Sequence, residues 1–170
     1  MADPASAPRP VPALLDSAAA EFITSGISIN AAGARPGTVP SMARATGCRV
    51  AADARSVALL FASTPAAALL DDIRRSGAIA VVFSQPSTHR TLQLKGDDAR
   101  IVPPAAGDAA LAAAYVKIFT DGLTRLGYPG EVLRAVLAHD PGDLVAVEFT
   151  PLAAFSQTPG PGAGEPLVRA

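Results

Sequence analysis

Residues 77–96 carry the sequence Gly-Ala-Ile-Ala-Val-Val-Phe-Ser-Gln-Pro-Ser-Thr-His-Arg-Thr-Leu-Gln-Leu-Lys-Gly, and the prediction of the fold starts from these residues. Residues 78–83 form an apolar run that ends at a turn-forming Ser-Gln-Pro, a pattern that predicts a buried strand. From residue 89 onward the pattern alternates, so Leu92 and Leu94 face one side and Thr91, Gln93 and Lys95 face the other. The stretch therefore predicts two neighbouring strands, the second with one packed face and one polar face.

The polar face of the second strand carries hydroxyl, amide and ammonium groups, from Thr91, Gln93 and Lys95, and His89 and Arg90 precede it. Such a row suits an anionic, polar ligand, for example a phosphate joined to a heteroaromatic ring, because each group donates hydrogen bonds of a different reach. The alternative is a polar face that is simply solvated, which is common for antiparallel sheets.

The composition limits the possible functions. The chain has 170 residues, enough for one domain with its own core, and 14 basic against 15 acidic residues, which favours neither nucleic acid nor an anionic membrane as partner. Cys48 is the single cysteine, so an internal disulfide is excluded and a reducing cytoplasm is expected. The sequence shows no secretory signal, no apolar run long enough for a membrane span and no metal-ligand spacing.

Proline and glycine divide the chain into three parts. Residues 1–13 and residues 156–170 are predicted to be arms, the first flexible and the second rich in Pro and Gly, and residues 14–155 form the domain between them. Strands joined by short turns, with helices interspersed rather than strictly alternating, predict an α+β fold built on an antiparallel sheet or barrel. The predicted elements are a helix ending at residue 26, strands over 27–31, 40–50 and 57–63, a helix over 66–75, the two strands described above, a strand over 99–102, helices over 108–126 and 131–139, and a last strand over 144–150.

The long predicted helix has two expected features. Asp108 is expected to cap its N-terminus, and the helical spacing predicts that Leu111, Tyr115, Ile118 and Leu126 face the core.

Two segments resemble a known family. Residues 67–96, with their helix, their buried strand and the sequence His89-Arg-Thr-Leu-Gln-Leu-Lys-Gly, resemble the pyridoxamine 5'-phosphate oxidase-like family of FMN-binding split barrels. The segment Pro40-Ser-Met-Ala-Arg-Ala-Thr-Gly-Cys resembles a strand that contacts the flavin in that family. The resemblance covers about residues 14–150. It implies an antiparallel split β-barrel with flanking helices, and a homodimer that binds FMN in two clefts at the subunit interface.

The predicted cofactor-binding residues come from three segments. The resemblance places the strand over 40–50 along the flavin ring, the end of the strand over 57–63 beside the phosphate, and Thr91 at a polar flavin contact. The other residues around the polar strand are predicted mainly from their own side-chain chemistry. In chain order the set is Arg44, Ala45, Thr46, Ser63, Thr64, His89, Arg90, Thr91, Gln93 and Lys95.

One position departs from the family pattern. Many members begin the helix after the third strand with an Arg-Lys pair that grips the phosphate, and the matching residues here are about Ala68 and Leu69. Either Arg44, Arg90 or Lys95 holds the phosphate together with backbone amides, or FMN binds weakly, or another ligand has replaced it.

The predicted function is an FMN-binding oxidoreductase that transfers a hydride to or from a small organic substrate, with no catalytic residue assigned. His89 is the candidate near the predicted site for proton exchange near neutral pH. Two alternatives stay open: a haem-binding split barrel with His89 or His139 as axial ligand, and a non-enzymatic dimer that binds a small molecule.

Overall fold

Two antiparallel sheets face one main hydrophobic core in the computed structural model, which describes residues 14–167. The strands are β1 (Ser28–Gly33), β2 (Ser41–Arg44), β3 (Gly47–Val50), β4 (Val57–Ala62), β5 (Ile79–Ser84), β6 (Thr91–Gly96), β7 (Arg100–Val102), β8 (Leu144–Phe149) and β9 (Ala153–Ser156). The helices are α1 (Ser17–Thr24), α2 (Ala67–Ser76), α3 (Asp108–Arg125) and α4 (Gly130–Leu137). The five-stranded sheet has the order β2-β1-β5-β6-β9, and the four-stranded sheet has the order β3-β4-β8-β7.

The central strand pair is the one predicted from residues 77–96. β5 and β6 pair in antiparallel register, with Phe83 opposite Leu92 and Val81 opposite Leu94, and all four side chains are buried. Each fully buried side chain of this size contributes about 1.5–3 kcal/mol relative to an exposed one. The prediction of a strand with one packed and one polar face is confirmed, because Thr91 and Gln93 are only half-buried and Lys95 is exposed.

The predicted strand over residues 40–50 is wrong: it is two strands in two sheets. β2 pairs with β1, whereas β3 pairs with β4. The chain crosses between the sheets at Ala45, whose N–H donates to Ile29 O at 3.0 Å, and at Thr46, whose N–H donates to Leu60 O at 2.7 Å. Residues 44–47, Arg-Ala-Thr-Gly, carry a single glycine and no proline, which does not by itself indicate that the backbone changes partners here.

The buried face of α3 also differs from the prediction. Tyr115 is buried as expected, but Ile118 is 52% exposed and Leu126 is 46% exposed, and Phe119 is buried in their place. The Tyr115 and Phe119 rings stack with centroids 5.7 Å apart, and this pair sets the rotation of an alanine-rich helix whose other faces offer little side chain. The N-cap is Gly107 rather than Asp108.

Asp108 instead joins the start of α3 to the second sheet. Its Oδ2 accepts a hydrogen bond from Ala105 N at 2.8 Å, and its Oδ1 lies 3.0 Å from Arg49 Nε.

The last part of the chain adds a strand that the sequence analysis missed. β9 pairs with the free side of β6, and β7 joins the four-stranded sheet rather than continuing the sheet of β6. Beyond β9 the predicted arm turns back, and the N–H of Leu167 donates to Ala154 O at 2.8 Å. The predicted N-terminal arm lies outside the described residues. Among the helices within residues 14–167, none is long and apolar enough to cross a membrane.

Candidate functional site

A cleft opens where the chain crosses from the first sheet to the second. Arg44 and Thr46 line one wall, Pro65 and Ala66 at the start of α2 line another, and residues 136–139 at the C-terminal end of α4 close it. Its volume is about 110 Å³. The cleft therefore brings together two of the three segments in which the sequence predicted cofactor-binding residues.

Arg44 provides the positive charge at this cleft. Its Nη1 donates to Ser28 Oγ at 3.1 Å, and its guanidinium lies 5.4 Å from the centroid of the Phe119 ring. Beside it, Tyr115 donates its hydroxyl to Ile27 O at 2.8 Å, and burial raises the pKa of Tyr115 to about 12. A guanidinium carries five N–H donors, and Arg44 is exposed, so donors remain for a ligand at the mouth of the cleft.

Ala45 and Thr46 contribute to the shape of the cleft rather than to its hydrogen bonding. Both residues are buried, and the Thr46 hydroxyl donates to Leu60 O at 3.3 Å. Their backbone N–H groups hold the two sheets together at the crossing, as described above.

Ser63 and Thr64, at the end of β4, are bound by a carboxylate of the protein itself. The Ser63 hydroxyl donates to Oδ1 of Asp143, and the N–H of Thr64 donates to Oδ2 of Asp143 at 3.1 Å. The N–H of Ser63 also donates to the backbone oxygen of Asp143, at 2.8 Å. These hydrogen bonds, with a smaller contribution from the charge of His139, hold the pKa of Asp143 below its usual range. Asp143 was not among the residues predicted from the sequence.

The polar residues of β6 lie on the outer face of the five-stranded sheet. The Thr91 hydroxyl is 2.9 Å from Ser84 Oγ, and Gln93 Oε1 accepts from Gln157 at 3.4 Å. The Lys95 ammonium lies 5.0 Å from the centroid of the Phe155 ring. Thr91 and Gln93 thus have hydrogen-bond partners within the chain, whereas Lys95 makes only the ring contact within residues 14–167 and keeps its donors.

His89 and Arg90 belong to the loop between β5 and β6. His89 is exposed and adopts a left-handed backbone conformation, with φ of 61°. The Arg90 guanidinium lies 4.1 Å from the centroid of the Phe22 ring of α1. Arg44 links the cleft to the outer face, because its partner Ser28 lies opposite Ser84, which contacts Thr91.

The residues at the end of β4 do not fit the phosphate of FMN. The donors of Ser63 and Thr64 are taken by a carboxylate, Ala68 offers no charge and Leu69 is buried. The cleft is also small for a flavin ring, since a cavity of about 150 Å³ accommodates a ligand the size of benzene. Within residues 14–167, no group of three His, Cys, Asp or Glu residues could hold a metal ion.

Two antiparallel sheets around one core, with a cleft at the chain crossing, define the chain as a split barrel. Among solved structures it is similar to an F420 reductase, with 16% identity over 79% of this chain and 93% of that chain and a TM-score of 0.51. It is also similar to HupZ from Group A Streptococcus, with 13% identity over 88% of this chain and 100% of that chain and a TM-score of 0.54. A pyridoxamine 5'-phosphate oxidase-related, FMN binding protein from Nostoc punctiforme gives a TM-score of 0.46, at 13% identity over 85% and 83% of the two chains.

At such identities the first two of these likenesses, with TM-scores above 0.5, show the fold alone. The predicted α+β fold, an antiparallel split barrel with flanking helices, is confirmed, and so is the resemblance to the pyridoxamine 5'-phosphate oxidase-like fold. No protein-family model matches the chain, and no curated protein matches its sequence.

Proposed function

We propose that this chain is a homodimeric flavin-binding oxidoreductase acting on a small organic substrate, with the flavin ring across the mouth of the Arg44 cleft. The observation that carries the proposal is the exposed Arg44 guanidinium, held by Ser28 and Phe119 at the point where the two sheets separate. The similarity in fold to an F420 reductase supports a redox role with a flavin-like coenzyme. The cytoplasm stays the predicted compartment.

The residues of the cleft suit a ring with a polar edge. A bound flavin supplies hydride transfer. Arg44 would hold the polar edge of a bound ring, and its guanidinium charge would stabilise negative charge that develops there. We propose Thr91, Gln93 and Lys95 as the second binding surface, because the hydroxyl contact between Ser84 and Thr91 places them on the outer face that Arg44 also reaches.

Flavin uptake is the direct test of this proposal. We expect the purified protein, mixed with excess FMN or riboflavin and then desalted, to show flavin absorption bands, and we expect it to quench flavin fluorescence on titration. A dissociation constant in the micromolar range or below corresponds to about 8 kcal/mol of binding free energy or more. A colourless protein that quenches neither flavin would contradict the proposal and favour a non-enzymatic dimer.

A haem-binding function is the second candidate, and His139 is the observation that favours it. His139 lines the Arg44 cleft and also an apolar cavity of about 300 Å³ between α3 and α4. Its Nδ1 lies 3.2 Å from Leu137 O, so Nε2 remains for a ligand. A Soret band in the purified protein, lost in His139→Ala, would transfer the assignment to haem.

The outer face of the five-stranded sheet is the proposed dimer interface. Its side chains are a mixture of apolar and polar groups and none is buried in the single chain, and the row across the strands runs Arg44, Asn30, Val82, Gln93 and Phe155. We propose that a second copy of the chain covers this face. The cleft alone cannot enclose a flavin ring, and a second copy on this face would cover the open side of the cleft.

Dimerisation can be tested at the centre of this face. We expect light scattering to give twice the chain mass for the native protein. We expect Val82→Arg to give the mass of one chain, because it places a charge in the middle of an interface of roughly 800 Å² per partner. Val132→Arg on α4, where the native side chain is already 53% exposed, should leave the dimer intact. A native protein of single-chain mass would contradict the proposal.

A further inference from the structure

The carboxylate of Asp143 occupies a small anion-binding site of the protein. One hydroxyl and one backbone N–H, from Ser63 and Thr64, converge on its two oxygens, and the Ser63 N–H fixes its backbone. Charge-assisted hydrogen bonds of this kind are what a protein offers to phosphate oxygens. An internal anion therefore fills the place at the end of β4 that an external anion would need.

The surroundings of Asp143 also disfavour the binding of a second anion, such as a phosphate. A phosphate monoester carries a charge of about −1.5 to −2 at neutral pH and would meet the carboxylate as a like charge. The walls of the cleft next to Ser63 are apolar at Ala62, Pro65 and Ala66, and Arg44, on another wall, contacts Ser28 rather than Ser63 or Thr64. Within residues 14–167, no ion pair with a cation offsets the charge of Asp143.

We infer that Asp143 is a specificity-determining residue that excludes phosphate-bearing ligands, so that the chain takes a flavin without a terminal phosphate, such as riboflavin, in preference to FMN. The inference rests on the proposed flavin function and names the class of ligand within it. Asp143 acts by holding Ser63 and Thr64, and it need not touch the flavin ring.

The test compares two flavins that differ only in the phosphate. Titration of the full chain by fluorescence quenching should give a dissociation constant for FMN about tenfold or more above that for riboflavin. In Asp143→Ala the freed hydroxyl and N–H can donate to a phosphate, so this ratio should fall by about tenfold while the riboflavin constant changes by less than about threefold. Asp143→Asn, which keeps the side-chain shape and removes the charge, guards against misfolding and should shift the ratio in the same direction.

Asp140→Ala is the matched control. This acid lies three residues earlier, accepts from Gly142 N at 2.8 Å and touches neither Ser63 nor Thr64 in its hydrogen bonding, so the same loss of charge should leave the ratio unchanged. A native protein that binds FMN about tenfold more tightly than riboflavin, or equal shifts in Asp140→Ala and Asp143→Ala, would overturn the inference.

Melting temperatures measured with inorganic phosphate test this inference separately from the proposed function. If neither flavin binds to the native chain or its variants, the proposed function fails, and phosphate still decides the role of Asp143. We expect phosphate to raise the melting temperature of Asp143→Ala and not that of the native protein or Asp140→Ala. An Asp143→Ala protein that neither gains phosphate stabilisation nor shifts the flavin ratio overturns the inference.

Discussion

Replacing Gly77 by alanine is expected to lower the free energy of unfolding by about 3 kcal/mol or more. Gly77 ends α2 in the left-handed region, with φ of +67°. A Cβ there would lie 2.5 Å from the backbone oxygen of Asp97, far inside van der Waals contact. The left-handed conformation alone costs a non-glycine residue about 1–2 kcal/mol, and the clash adds to it.

The clash is costly because the backbone around it is fixed at both ends. The N–H of Gly77 donates to Ile73 O at 2.9 Å and closes the last turn of α2. The oxygen of Gly77 accepts from the N–H of Ala99 at 2.9 Å and holds the segment that contains Asp97. Moving the Asp97 carbonyl therefore loosens both the end of α2 and the start of β7.

Gly37→Ala is the matched control for Gly77→Ala. Gly37 has φ of +76°, and nothing lies within 4 Å of its Cβ position. Chemical denaturation followed by circular dichroism should show a loss of about 1 kcal/mol for Gly37→Ala. The difference between the two variants isolates the close approach to Asp97. Equal losses would show that backbone conformation alone accounts for the effect.

The sequence predicts those parts of the fold that local patterns determine. The alternation through Leu92 and Leu94 predicts β6, and Gly77 predicts the end of α2. The sequence does not predict the crossing at Ala45 or the strand β9. Strand pairing depends on residues that are distant in the sequence, and it does not change the local hydrophobic periodicity. In α3 an alanine-rich sequence fits several rotations, and only the packing of Phe119 in the folded chain decides among them.

In the candidate site, too, the sequence predicts one residue and misses another. The family resemblance of its segment predicts Arg44 as a cofactor-binding residue, and in the structure Arg44 lines a cleft. Asp143 escaped prediction because its partner Ser63 is 80 residues away in the chain. Its local sequence, Asp140-Pro-Gly-Asp, is typical of a turn, a role that already explains an aspartate. No local pattern pairs a turn carboxylate with the end of a distant strand.

Arg44→Ala is expected to weaken flavin binding by about thirtyfold, because it removes hydrogen bonds to the ring from a charged group worth about 2 kcal/mol. Its effect on folding should be small, since the side chain is exposed and its contact with Phe119 contributes about 0.5–1 kcal/mol. Arg44→Lys keeps the charge and loses the planar fork, so we expect an intermediate loss. Fluorescence titration with riboflavin measures all three proteins, and unchanged melting temperatures would show that the fold is intact.

The Arg90→Ala variant tests on which surface the flavin binds. It removes the same charge from a guanidinium that packs on Phe22, away from the walls of the cleft. If the flavin lies across the mouth of the Arg44 cleft, Arg90→Ala should change the riboflavin dissociation constant by less than about threefold. A loss in Arg90→Ala as large as that in Arg44→Ala would place the ligand beside Phe22 of α1 and contradict the cleft. Native affinity in both variants would contradict a role for either arginine, because a bound ring beside Arg44 must lose its charge-assisted contacts when that side chain is removed.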